Sequence, residues 1–254
     1  MSAYAESLLG GGTPGERARL DSIQSSVDDF STGILQGLGP RADWSCLELG
    51  AGAGSIAYWL AERCPAGRVV AVDLDPRHLD ADRVEVVEAD ITDPGFEPGS
   101  FDLVHARFVL CHLPSRDALV ARAARWLKPG GWLVVTDPFQ LAEETSPFPV
   151  VAKILAVYKQ VYAGHGADLT WSRSVPSLLS GAGLTSVGFA GKLACMGNLG
   201  ADRWRPLIDQ VAPGLLATGA VTRADLEEFH RLLADPGFVD IPQVTISAWG
   251  RRPG

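Results

Sequence analysis

Between Trp44 and Val135 the chain alternates short apolar runs with longer stretches whose apolar residues recur at helical spacing. CLEL, VVAV, VEVVEA, FDLVHA and WLVVTD read as strands, with helices between most of them. SIAYWLAERC and ALVARAARWL are two of these helices, and the turn Lys128-Pro129-Gly130-Gly131 ends the second. Such alternation predicts a parallel sheet covered on both faces.

The flanking segments follow other rhythms. Leu20, Ile23, Val27, Phe30, Ile34 and Leu38 fall near helical spacing, with Ser31 as a cap where two helices would meet, so residues 1–40 read as a helical N-terminal segment or lid. The main domain then spans 41–254. Within it, about 138–172 forms a first insertion, containing FPVVAKILAVYKQVYAGHG. It leads to SVPSLLSGAGL, a helix ending at glycine, and to the strand-like TSVGFAGKLACM. A second insertion, about 197–240, reads as helical around RWRPLIDQVA and RADLEEFHRLLAD, before VTISAWGRR closes the chain as a seventh strand. The expected fold is α/β, a Rossmann-like, mostly parallel sheet of seven strands with helical insertions after strands 5 and 6.

Composition narrows the partners. A chain of 254 residues can bury one sizeable core. Its formal charge of −8 repels phosphate backbones, which argues against nucleic acid. No apolar run approaches the roughly 18 to 20 residues of a membrane span, and MSAYAESLLGGG lacks the features of a secretory signal, so a cytoplasmic location without membrane contact is expected. Cys46, Cys64, Cys111 and Cys195 form no C-x-x-C pair, and Cys46 reads as a small buried apolar residue. The sequence leaves monomer and homodimer open.

The sharpest local signal is CLELGAGAGS, residues 46–55, with glycines at 50, 52 and 54 directly behind a strand. A strand turning into a helix through glycines exposes backbone N–H groups and lets a ligand approach without meeting a Cβ, which points to a nucleotide-like ligand. A dinucleotide fingerprint needs G-x-G-x-x-G. Here Ser55 stands in place of the last glycine, and Glu48 lies two positions ahead of the first. That carboxylate would oppose a pyrophosphate and could help hold a cation.

The segment resembles the class I S-adenosylmethionine-dependent methyltransferases, whose first motif E/D-x-G-x-G-x-G is met by Glu48-Leu49-Gly50-Ala51-Gly52-Ala53-Gly54. VVAVDLDP, VEVVEADI, FDLVHARFVLCHL and LKPGGWLVVTD follow in the family's order, and the match covers about Cys46 to Asp137. The resemblance implies S-adenosyl-L-methionine as cofactor and S-adenosyl-L-homocysteine as product. Asp73, with Leu74 beside it, would bind the ribose hydroxyls. Asp90 would read the adenine amino group, with Ile91 against the ring. Ala106 would face the methionine part, and Arg107 would either pair its carboxylate or fix a local acid. Tyr4 and Gln24 could close over the cofactor.

The reacting residues are less well marked. His112, in Cys111-His112-Leu113-Pro114, is a general-base candidate or a cap, and His105 on the strand itself reads as buried. Asp137 is expected to point toward the substrate side, although Pro138 makes a turn an alternative. His165, between two glycines, could serve as a base under a closing lid. Val151, Leu155, Tyr158 and Tyr162 share one helical face. With Phe139 and Trp171 they suggest an aromatic-lined site for a small organic molecule, a secondary metabolite for example; a helix packed on the sheet or on a second subunit is the alternative. Arg107 stands where metal-assisted members carry acids, so no metal is expected. HARF bears no likeness to the Asn/Asp-Pro-Pro-aromatic loop of base-flipping enzymes.

The expected reaction is therefore in-line methyl transfer to O, N or C of a small molecule. The rival readings are an NAD-dependent oxidoreductase and an S-adenosylmethionine-binding protein that catalyses something other than methylation.

Overall fold

The computed structural model describes residues 15–92, 95–197 and 203–254. Helix α1 (Glu16–Gly37) leads into strand β1 (Ser45–Leu49), helix α2 (Ser55–Arg63), β2 (Arg68–Asp73), β3 (Glu85–Glu88) and β4 (Phe101–Arg107). Helix α3 (Arg116–Trp126) precedes the long strand β5 (Leu127–Gln140). Helices α4 (Pro149–Gly164) and α5 (Val175–Gly181) then lead to β6 (Thr185–Gly197), and α6 (Trp204–Ala217) and α7 (Arg223–Ala234) to β7 (Val239–Arg251).

The seven strands form one sheet in the order β3-β2-β1-β4-β5-β7-β6. Only β7 runs against its neighbours, pairing antiparallel with both β5 and β6. This reversed strand, inserted ahead of β6, departs from the 3-2-1-4-5-6 order of a dinucleotide fold. Chain direction across the sheet switches between β1 and β4, and in open α/β sheets the crevice beyond the strand ends at such a point takes the ligand.

Alternation along β1 explains the two layers of core. Leu47 and Leu49 face one cluster, which also holds Val120 of α3, Leu155 of α4, Leu179 of α5 and Ile208 of α6. Cys46 faces the other, with Leu35 of α1 and Ile56 and Leu60 of α2. Cys46 is fully buried, as its apolar surroundings in the sequence suggest, and its sulfur lies 3.9 Å from that of Cys64.

Three expectations about local structure change. Helix α1 runs unbroken through Ser31, which is buried and accepts a hydrogen bond from Arg107 Nη1 at 3.3 Å, so its hydroxyl needs no helix end to satisfy it. The Lys128-Pro129-Gly130-Gly131 segment is part of β5, where the pairing with β4 slips between Phe101↔Leu127 and Leu103↔Trp132 and the extra residues bulge outward. Strand β3 is shorter than VEVVEA at both ends, so Asp90 lies two residues past it.

Candidate active site

The glycine turn after β1 is built on left-handed backbone, with φ of 66° at Gly50, 57° at Gly52 and 83° at Gly54. Side chains would be strained there, and each would also meet protein. A Cβ on Gly50 would lie 2.7 Å from Val109, one on Gly52 3.1 Å from Leu20 of α1, and one on Gly54 2.5 Å from the Tyr58 ring. That ring is pinned, because Tyr58 Oη accepts the Asp80 N–H at 2.7 Å and the Arg83 guanidinium lies 4.0 Å from its centroid. The last two glycines thus serve the turn and its packing. Of the three glycines Gly50 lines the open space beyond, beside Ala51 and Ala53.

That space is a cleft at the switch point. Its floor brings together the tips of four strands: Glu48 from β1, Asp73 and Leu74 from β2, Asp90 and Ile91 past β3, and Arg107 with Phe108 from β4. Helix α1 forms the roof through Arg19, Leu20, Ile23 and Gln24. Tyr4 lies outside the described residues.

Asp73 is held by the turn it faces. Its Oδ2 accepts the Gly52 N–H at 2.8 Å and its Oδ1 the Asp75 N–H at 3.1 Å. Burial pushes its carboxyl above the usual range, and the two N–H bonds oppose that rise. Asp90 Oδ1 accepts both the Thr92 N–H at 2.8 Å and its hydroxyl at 2.7 Å. Glu48 is buried beside His105, its Oε2 2.7 Å from Nδ1, so the costly acid inside a strand is paired. Arg107 donates to Asp28 Oδ1 of α1 at 2.7 Å and to Ser55 Oγ at 3.1 Å, while also lining the cleft. Of its two expected roles, the local acid is therefore occupied.

A second cleft adjoins the first, sharing Arg19, Ile23 and Phe108 with it. Phe108 stands at the border with φ of 54°, a conformation that bulky residues avoid and that only surrounding contacts sustain. Tyr158 and Tyr162 of α4 line this inner cleft with ring centroids 4.3 Å apart, and His112 lies 5.6 Å from the Tyr162 ring. Burial first, then the charges of Arg19 and Arg116, lower the His112 imidazole to about 3. It is neutral at physiological pH and a weak base as the chain stands. Burial raises the Tyr158 hydroxyl to about 12.

Several expected site residues lie elsewhere. Asp137 lines neither cleft: it is fully buried, and its Oδ2 accepts the Cys111 N–H at 3.3 Å, fixing the short turn after β4. Alternation along β5 turns it to that turn, and burial lifts its carboxyl to about 7. His165 is exposed at the C-terminal end of α4, away from both clefts. Trp171 is buried and donates its indole N–H to Asp117 Oδ1 at 2.7 Å, so it ties the first insertion to α3. Phe139 pairs with Val244 inside the sheet, and Ala106 sits in the core between Leu49 and Val135. Neither lines a cleft.

Four cleft residues, Arg19, Phe108, Arg203 and Gln243, escape the sequence reading. For Arg19 a signal exists: positions 19, 23, 27, 31 and 35 repeat every four residues, which puts the arginine on the face α1 buries. Nothing in the local pattern marks the others.

Among described residues, no group of three or more His, Cys, Asp or Glu is arranged to hold a metal ion, and no helix is long and apolar enough to cross a membrane.

Residues 47–135 match the family model of a methyltransferase domain. Methyltransferase str3 of Strobilurus tenacellus is 36% identical over 129 residues, 49% of this chain and 46% of that protein. Nocamycin O-methyltransferase of Saccharothrix syringae is 34% identical over 116 residues, 41% of each chain. The matched part thus spans less than half the length of these curated relatives. Phosphoethanolamine N-methyltransferase 2 of Haemonchus contortus, solved with phosphomonomethylethanolamine and S-adenosylhomocysteine, superposes with a TM-score of 0.60 at 20% identity, over 99% of this chain and 56% of that one. With the glycine turn after β1, the acids on one cleft and the reversed β7, the match identifies residues 47–135 as a methyltransferase domain, on a sheet folded like that of the solved methyltransferase.

Proposed function

We propose that the protein binds S-adenosyl-L-methionine in the outer cleft and transfers its methyl group to a nucleophilic O, N or C of a small organic molecule in the inner cleft. The observation that carries this reading is that Asp73 and Asp90, from neighbouring strand tips, line one cleft together with Glu48 and Gly50. The residues fit the cofactor. Each Asp73 oxygen accepts only one backbone N–H, which leaves a lone pair on each for a ribose hydroxyl. Ile91 offers an apolar surface beside Asp90 for a purine, and three acids suit a cationic sulfonium better than a diphosphate.

The bound cofactor supplies an activated methyl group, and S-adenosyl-L-homocysteine is the product. The chain's own task is alignment and exclusion of water, and alignment alone can supply about 7–11 kcal/mol of a barrier. Phe108, shared by both clefts, stands at the border where the two molecules would meet. Tyr158 and Tyr162 offer aromatic surface to the acceptor, and His112 is the imidazole among the described residues of the inner cleft. Residues 15–37 act as roof to the cofactor and 41–254 as the catalytic body. Both Saccharothrix and Haemonchus relatives carry methyltransferase names, one for O and one for N, so the acceptor atom here stays open among O, N and C.

Calorimetry with S-adenosylhomocysteine, followed by incubation with methyl-labelled cofactor and a small-molecule extract, tests the proposal. Micromolar binding and a labelled extractable product are expected. Binding without any labelled product would favour a non-methylating role.

A further inference from the structure

The inner cleft holds two buried cations and, among the described residues, no acid. Arg19 is 6% exposed and its Nε has no hydrogen-bond partner, although it lines the cleft. Arg203, just ahead of α6, is 7% exposed. Its guanidinium donates to the neutral amide oxygen of Gln243 and lies 5.5 Å from the Phe108 ring centroid. Burial lowers it only to about 10, so it stays charged at physiological pH. Both guanidiniums act on the Tyr158 hydroxyl, so their charges converge on the same space.

A guanidinium withdrawn from water is costly unless its charge and its several N–H donors are answered. Among the described residues, the Gln243 amide oxygen and the Phe108 and Trp204 rings answer Arg203 in part, while Arg19 Nε has no partner. The acids Glu48, Asp73 and Asp90 all belong to the outer cleft. There they stand against Arg19 and Arg107, whereas the described lining of the inner cleft sets Arg19 and Arg203 against no acid, so the balance of charge turns positive toward the acceptor.

We propose that the methyl acceptor carries an oxyanion, a carboxylate or a phosphate, gripped in the inner cleft by Arg203 with Arg19 at the border, while Tyr158, Tyr162, Leu169 and Leu207 hold its apolar body. The planar fork of arginine matches either oxyanion through paired N–H bonds. This rests on the methyltransferase reading of the outer cleft for the word acceptor, but the anion site stands on its own residues.

The test uses 4-hydroxybenzoate and phenyl phosphate against the neutral 4-hydroxybenzamide, titrated into the full chain saturated with S-adenosylhomocysteine. At least one anion should bind about tenfold or more tighter than the amide, as charge-assisted contacts require. Whichever anion prevails identifies the oxyanion. Arg203→Gln should remove the preference and Arg203→Lys keep only part of it, since lysine retains the charge but not the paired N–H fork, with S-adenosylhomocysteine affinity unchanged in both. An amide that binds as well as both anions, no binding of either anion, or a preference surviving in Arg203→Gln would overturn the proposal. If the glutamine variant does not fold, the wild-type comparison decides. If the wild type fails to bind S-adenosylhomocysteine, the methyltransferase reading falls, and the same titration of the cofactor-free chain still decides the anion site.

Discussion

Glu48 and His105 sit side by side in register on β1 and β4, with Oε2 and Nδ1 2.7 Å apart and both side chains buried. The pair sets an acid beneath the outer cleft and holds it in one orientation.

Removing one member of such a buried pair strands the other. Glu48→Ala should therefore lower unfolding stability by about 2–3 kcal/mol, read from urea denaturation, and weaken S-adenosylhomocysteine binding as well. Glu48→Gln keeps the shape and should lose less stability. If Glu48→Ala matches the wild type in both measurements, the pair has no structural or binding role.

Asp137 and His112 give the stability two opposed pH slopes. Asp137 is raised from 3.8 to about 7, so the folded chain favours its neutral form. Its contribution is full below pH 4 and is lost as pH rises through 7. His112 is lowered from 6.5 to about 3, so its contribution is full above 6.5 and is lost as pH falls toward 3. In the wild type these slopes partly cancel between pH 4 and 6.5. Asp137→Asn should expose the His112 slope, with stability rising from pH 3 to 6.5, and His112→Asn the Asp137 slope, with stability falling from pH 4 to 7. Since a tenfold change in proton affinity is worth about 1.4 kcal/mol, each contribution is at most on the order of 5 kcal/mol. Denaturation midpoints across pH check this, and parallel curves for the two variants would refute the assignment.

Both residues also show where reading from the sequence runs out. The glycine turn, Asp73 and Asp90 are legible because strand ends and left-handed backbone constrain residue type locally. Which way Asp137 points depends on alternation along β5 after the outward bulge at Lys128–Gly131, a tertiary matter. Trp171 reads as a substrate contact in the sequence because an indole carries no mark of the Asp117 carboxylate it meets. A buried arginine such as Arg203 is spelled like an exposed one, and only folding brings it to Gln243 and Phe108.

The roof of the outer cleft is latched by an ion pair. Arg107 Nη1 to Asp28 Oδ1 spans 2.7 Å, and Ser55 Oγ bridges the same two groups at 3.1 and 3.0 Å. The Arg107 side chain is only 9% exposed, so solvent screens the pair weakly. Asp28→Ala should free α1 and speed S-adenosylhomocysteine release by about tenfold, the effect of losing roughly 1.4 kcal/mol, in stopped-flow displacement. Association should change less, since affinity differences within one site lie mostly in dissociation. An unchanged release rate would mean that α1 does not gate the cleft.

Asp73 combines two duties that substitution can separate. Its oxygens anchor the Gly52 and Asp75 N–H groups, and the same oxygens face the space for a ribose. Asp73→Ala removes both and should weaken S-adenosylhomocysteine binding by roughly 100-fold, about the loss of two hydrogen bonds to a charged group. Asp73→Asn keeps one carbonyl acceptor but turns the other atom into a donor, which would face either a backbone N–H or a hydroxyl that must itself donate. It should fall between the wild type and Asp73→Ala in calorimetry while staying closer to the wild type in thermal unfolding. If both variants bind as the wild type does, Asp73 serves the glycine turn alone, and the ribose must be held by another group on the cleft.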